Sequence, residues 1–195
     1  PDGFSTYNPV PIITGIDDNG RADVFLGSVR ATLSLTNKLR LGSFVSYQTG
    51  NEWFGKYHKK TTRYEEGASR NGIAKQQYKN YANQLIENTL QYTDQFGGHS
   101  ISGLLGQSFQ YNQWSEFNAV NTDFITELYT YNRLEGGMGV KNNDDKIEMK
   151  SKKDSDKLAS FFARAMYNYN QKYYVNASIR VEGSSRFGPK ADPVL

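Results

Sequence analysis

Residues 158–182 read Leu158-Ala159-Ser160-Phe161-Phe162-Ala163-Arg164-Ala165-Met166-Tyr167-Asn168-Tyr169-Asn170-Gln171-Lys172-Tyr173-Tyr174-Val175-Asn176-Ala177-Ser178-Ile179-Arg180-Val181-Glu182. Phe161, Ala163, Ala165, Tyr167 and Tyr169 occupy alternate positions, opposed by Ser160, Arg164 and Asn168. After Asn170-Gln171-Lys172 the alternation resumes. Tyr173, Val175, Ala177, Ile179 and Val181 now oppose Tyr174, Asn176, Ser178, Arg180 and Glu182. A period of two marks a strand with one apolar and one polar face, and a short polar break between two such runs marks a hairpin.

Two earlier blocks repeat the pattern. Over 24–48, Phe25, Val29, Ala31, Leu33 and Leu35 alternate with Ser28, Arg30, Thr32 and Ser34. A turn at Asn37-Lys38 leads to Leu39, Leu41, Val45 and Tyr47 against Arg40, Gly42, Ser46 and Gln48, with Phe44 alone on the polar face. Over 84–111, Ile86, Leu90 and Tyr92 face away from Glu87, Thr89 and Gln91. The polar, glycine-bearing turn 93–98 follows. The return strand sets Ile101, Gly103, Leu105, Phe109 and Tyr111 against Ser102, Gly106, Ser108 and Gln110. Between the blocks lie long polar loops, 49–83 and 112–157, with a stretch of helix expected near 124–131.

Composition sharpens the class. The chain has 195 residues, only 37% of them hydrophobic, with 14 Tyr against 2 Trp. Its 23 basic and 20 acidic residues nearly cancel, which argues against a nucleic-acid partner. The lack of cysteine excludes disulfides, Cys-ligated metals and a thiol nucleophile. No apolar run reaches the roughly 18 residues of a spanning helix, and no signal peptide is visible. The opening Pro1-Asp2-Gly3-Phe4 suggests an internal stretch of something longer.

Three features favour the wall of a transmembrane β-barrel. Connections alternate short and long, as periplasmic turns and extracellular loops do. Aromatics gather at strand ends, with Tyr92, Tyr167, Tyr169 and Tyr173 near the turns and Tyr47, Phe109 and Tyr111 near the loops, as in the two interfacial girdles of a barrel. The other strand face is strongly polar and carries Arg30, Arg40, Arg164 and Arg180, as expected of a wall that borders a wet lumen. The expected fold is therefore all-β, an antiparallel barrel segment of three hairpins, one partial barrel domain over 1–195. The alternative is a soluble β-sandwich that binds glycans. It requires a second sheet covering Val29, Leu33, Leu41, Ile101, Ala163 and Ile179.

Residues 155–188 carry a family resemblance. Ser155 to Tyr174 is similar to the L-x-S-[FY]-F-[GA]-R…Y-x-Y…K-Y strand and turn of the SusC/RagA family of TonB-linked outer-membrane transporters. Val175-Asn176-Ala177-Ser178-Ile179-Arg180-Val181-Glu182-Gly183-Ser184-Ser185-Arg186-Phe187-Gly188 resembles its A-S-[LI]-R-x-D-G-S-S-[RK]-F-G. Upstream, Tyr7-Asn8-Pro9 and the strand from His99 to Gly106 resemble family motifs in the right order. Val181 and Glu182 depart from the usual Arg and Asp, though Glu keeps the charge. The end, Ala191 to Leu195, does not resemble a barrel's closing strand.

The resemblance implies a barrel of about 22 strands around a plug, in the outer membrane of a Gram-negative bacterium. It implies a SusD-like surface lipoprotein as partner and import of oligosaccharides or peptides. It implies energy from the TonB complex through a plug and TonB box that these residues do not include. The third-block motif speaks against the siderophore and cobalamin receptors that share the barrel. No cofactor is implied.

No catalytic constellation is visible. His58 and His99 are too few for a zinc site. The adjacent acids Glu65-Glu66 and Asp144-Asp145 suit solvated loops better than a glycosidase pair. Gly136-Gly137-Met138-Gly139 lacks the lysine of a phosphate loop. The sequon at Asn176-Ala177-Ser178 falls in a strand and is set aside. The candidate substrate contacts are six aromatics expected in the loops, Trp53, Tyr57, Trp114, Phe117, Tyr129 and Tyr131. Their flat rings suit sugar faces or peptide side chains, or packing between loops. The four strand arginines suit an anionic substrate or a docked plug equally.

Overall fold

A computed structural model describes residues 10–62 and 67–187. Tyr7-Asn8-Pro9, Glu65-Glu66, Gly188 and the stretch Ala191 to Leu195 lie outside the described residues. A short helix α1 (Val10–Thr14) precedes six strands: β1 (Ile16–Ser34), β2 (Leu39–His58), β3 (Ile73–Phe96), β4 (His99–Thr122), β5 (Glu148–Tyr169) and β6 (Tyr173–Ser184). They form one sheet in the order β1-β2-β3-β4-β5-β6, an antiparallel meander, so the chain is all-β as expected. No second sheet lies among the described residues.

The strands are much longer than the hairpins read from the sequence, with β3 and β4 at 24 residues each. The expected loops 49–83 and 112–157 contract to the connections 59–72 and 123–147. The reason is chemical. Stretches such as Lys75-Gln76-Gln77-Tyr78-Lys79-Asn80 are polar on both faces, so they pair as strands without an apolar stripe to betray them. The helix expected near 124–131 is also corrected. Phe124 forms a β-bridge with Gly137. The connection is otherwise built from two short 3-10 turns and the four-residue helix α2 (Gly139–Asn142).

The described residues divide into two compact units. The first, here the turn unit, comprises the described parts of Val24–Thr49, Tyr81–Trp114 and Asp154–Leu195. Its three connections are tight. Thr36 Oγ1 accepts from the backbone N–H groups of Lys38 (3.2 Å) and Leu39 (3.0 Å). Gly97 and Gly98 join β3 to β4 with φ +50° and +82°, the conformation a two-residue hairpin demands at both central positions. Asn170 and Gln171 take φ +48° and +56° between β5 and β6, and the Asn170 N–H donates to the Gly98 carbonyl at 2.8 Å.

In the turn unit the apolar faces are uncovered. The β5/β6 register opposes Phe161 to Val181, Ala163 to Ile179, Ala165 to Ala177, Tyr167 to Val175 and Tyr169 to Tyr173. Val29 is 71% exposed, Ile179 66% and Leu33 58%. Leu41 is also exposed, and Ile101 and Ala163 are partly so. Among the described residues no facing sheet covers these positions, as the sandwich alternative would require.

The second unit, here the loop unit, comprises the described parts of Pro1–Asp23, Gly50–Asn80 and Ser115–Lys153. It holds the buried cluster of Tyr57, Ala74 and Phe124, with Tyr131 and Leu134 packed against it.

Candidate binding surfaces of the wall and its connections

In the loop unit the connection 123–147 folds down over β2 and β3. The Tyr57 and Phe124 rings meet edge to face at 5.5 Å, and Trp53 and Tyr131 do so at 5.6 Å. Tyr131 lies directly over Gly55, where an added Cβ would come within 2.5 Å of the ring. Gln76 Nε2 donates to the Tyr131 carbonyl at 2.7 Å.

The two connections are also clasped to each other. The Asp123 N–H donates to the Arg70 carbonyl (2.9 Å) and the Phe124 N–H to the Asn71 carbonyl (3.0 Å). Asn71 Nδ2 donates to Asp123 Oδ1 at 2.8 Å. Asn71 and Asp123 both sit at positive φ, which short polar side chains tolerate. Arg70 pairs with Asp144, whose other oxygen accepts from Thr122 Oγ1 at 2.8 Å. Burial pushes the Asp144 carboxyl up. The Lys146 N–H, the Thr122 hydroxyl and the Arg70 charge outweigh it and hold the group below the usual carboxylate range.

Four of the six aromatics expected in loops stand on strands: Trp53 and Tyr57 on β2, Trp114 and Phe117 on β4. Tyr57 has no exposed surface and serves the loop core. Among the described residues its hydroxyl is buried without a hydrogen-bond partner, and burial, aided by Glu127 and Asp17, pushes the phenol up to about 12. Trp53, Trp114 and Tyr131 are half-buried. Phe117 and Tyr129 remain open at 43% and 46%, with the Arg133 guanidinium 5.2 Å above the Tyr129 ring. Of the set, the structure brings Trp53 and Tyr131 into contact within the loop unit.

On the polar face of the turn unit, arginines find aromatic platforms. Arg30 lies 5.1 Å over Phe44 and Arg180 5.5 Å over Phe162. Arg180 also donates to Ser160 Oγ (3.0 Å) and pairs with Glu182, while Ser160 and Ser108 share a hydrogen bond of 2.6 Å. Gly106 is the space beneath the Phe162 ring. Arg164 is exposed. Arg30 and Arg40 line a groove of about 180 Å³ with Thr32, Gly42, Ser43, Phe44, Glu87, Thr89 and Gln91. Phe44 stands out in the sequence as the apolar residue on a polar strand face. Phe162 breaks parity in the same way but is not picked out by the sequence reading, and each ring carries an arginine.

Near the short turns the aromatics form contacts of their own. His99 stacks on Phe96 at 5.3 Å, lies 4.7 Å from the Tyr169 ring, and shares a 2.7 Å hydrogen bond with the Tyr167 hydroxyl. Lys38 pairs with Asp94 at 2.8 Å, and Asp94 also accepts from Tyr92 at 3.0 Å. Among the described residues no cluster of three metal-ligating side chains occurs.

No family model matches the sequence. TonB-dependent receptor P3 of Formosa agariphila is 31% identical to this chain over 185 residues, covering 95% of the chain and 18% of the relative. The chain belongs with the TonB-dependent receptors. A second such receptor of that organism, P39, is 35% identical over 108 residues, 52% of this chain and 9% of the relative. The sheet is similar in fold to part of the RagAB peptide transporter. There the TM-score is 0.77 at 16% identity, over 91% of this chain and 19% of that one. The open-open state of the RagAB peptide importer gives 0.78 at 16% identity, over 92% and 19%. This receptor chain thus spans less than a fifth of the relatives it matches.

Proposed function

We propose that this chain is part of the wall of an outer-membrane importer that takes up oligosaccharides or peptides by TonB-dependent coupling, lidded by a SusD-like surface lipoprotein. The observation that carries the reading is the uncovered apolar face of the turn unit. In water such a face costs about 25 cal/mol for each Å² left exposed, whereas acyl chains solvate it freely. The turn-unit segments of the strands then cross the membrane, since about 9–11 tilted residues suffice. The aromatics at their ends lie at the headgroups, and the arginine-bearing face borders the lumen. The sheet order leaves β1 and β6 each with one open edge. In hydrocarbon those edges need further strands, because unpaired backbone groups cannot be hydrated there. The relatives' names and the RagAB fold support the same reading.

The test uses the full-length receptor, expressed with its neighbouring lipoprotein in cells with and without TonB. The expected result is outer-membrane localisation and uptake of a labelled oligosaccharide or peptide that stops on TonB deletion or collapse of the proton gradient. Uptake that persists without TonB, or a receptor recovered in the soluble fraction, overturns the proposal.

A further inference from the structure

We infer that the groove between Arg30 and Arg40 is a carboxylate subsite of the lumenal wall, and that the cargo it favours is a peptide that presents an acidic side chain. The inference rests on the importer reading above and adds the class of substrate. Both arginines are exposed, and among the described residues neither has an acidic partner at ion-pair distance. An arginine keeps its charge at any working pH and offers a planar fork of donors that fits a carboxylate two bonds at a time. The Phe44 ring, with its centroid 5.1 Å from the Arg30 guanidinium carbon, attracts the cation and restrains that side chain. A fork already oriented loses less entropy when it binds.

The groove is kept open by composition. A Cβ on Gly42 would come within 2.7 Å of Thr89 Oγ1, so a larger residue there would fill the floor. Thr32, Thr89 and Gln91 line the walls with hydroxyls and an amide suited to peptide backbone groups. Glu87 shares the groove, which leaves one positive charge to neutralise and matches a single carboxylate. The only ring in the groove already carries Arg30 on its face. A pyranose therefore lacks the open aromatic platform that sugar binding favours, and a peptide is the better fit.

The experiment measures binding of two blocked hexapeptides, one with a central glutamate and one with glutamine there, to the full-length receptor in detergent at low salt. The glutamate peptide should bind about five- to ten-fold tighter, the size of one charge-assisted hydrogen-bonded contact in a wet groove. The preference should shrink to within about two-fold in the Arg30→Gln/Arg40→Gln double variant and with added salt, as expected once the charge is removed or screened. Arg40→Lys, which keeps the charge, should retain part of it. Equal binding of both peptides by the wild type overturns the inference, as does an undiminished preference in the double variant. An oligogalacturonate that binds tighter than the glutamate peptide overturns the peptide assignment in favour of acidic sugars. Intact TonB-dependent uptake alongside any of these results leaves the importer reading standing. Loss of all energised uptake by the wild type instead brings down that reading.

Discussion

At the scale of the residue, Tyr57 shows how a ring can be misassigned from sequence. An aromatic in a polar stretch reads as an exposed binder, yet this one is the centre of the loop core, and its hydroxyl is buried with no partner among the described residues. A buried unpaired hydroxyl is a cost that the native state carries, so removing it should not hurt. Tyr57→Phe is expected to leave the stability of the loop unit unchanged or raise it by up to about 1 kcal/mol. Tyr57→Ala should lower it by about 3–5 kcal/mol through the cavity left against Phe124 and Ala74. Hydrogen exchange of residues 123–147 in the full receptor reads both, and a Phe variant that exchanges much faster would show that the hydroxyl has a partner after all.

Asp144 carries a pH dependence of definite sign. Its folded carboxyl titrates below the ordinary value of 3.8, so the charged form is favoured in the native clasp. The stability it contributes is present above the unfolded value and is lost as pH falls through the folded one. Protease sensitivity of the connection 123–147 should therefore be flat from neutral pH down to about 4, the unfolded carboxylate range, and rise below it. Asp144→Asn should raise that sensitivity at neutral pH and flatten the acid response. An unchanged acid response in Asp144→Asn would assign the effect to another carboxylate. The sequence reads Asp144 as a solvated loop acid and gives Arg70 no role, because nothing local shows that residues so far apart will meet.

At the scale of the element, the segments with an apolar and a polar face were legible and the others were not. The register of β5 with β6, the tight turns and the odd position of Phe44 all follow from a period of two. The outer parts of β2, β3, β4 and β5 carry polar residues on both sides, and period-two patterning has nothing to report there. Their pairing is set by the neighbouring strand rather than by burial. The aromatics assigned to loops were therefore misplaced wherever a strand outran its apolar stripe. The two faces of β6 make the clearest contrast. Ile179 and Ser178 are adjacent, on opposite faces, and both exposed. In the full-length receptor refolding into vesicles, Ile179→Arg should cost about 2–4 kcal/mol if the site lies near the bilayer midplane. Ser178→Arg should cost less than about 1 kcal/mol, because a lumenal charge stays hydrated. The shift of the folded band on an unheated gel against urea measures both, and equal costs would mean that neither face meets lipid.

At the scale of the whole molecule, the sheet is a structure that needs neighbours. Among the described residues the buried hydrophobic cluster lies in the loop unit and is small, while Val29, Leu33, Phe161, Ile179 and many like them stay exposed. Two open edges add rows of unpaired backbone groups, and exposed hydrophobic edges invite pairing with other chains. A self-contained soluble domain would bury such a face and unfold cooperatively. The stretch 1–195 produced alone in water is therefore expected to aggregate or remain without a cooperative thermal transition. Its amide proton spectrum should lack the dispersion of a packed domain. The same stretch within the full receptor in lipid vesicles should resist protease across 24–48, 84–111 and 158–182, where lipid covers one face and the next strands close the edges. A sharp melting transition of the isolated stretch as a monomer, with Val29 and Ile179 protected from solvent, would reverse the assignment. The apolar face would then have found its cover within these residues, and the reason to place it against lipid would be gone.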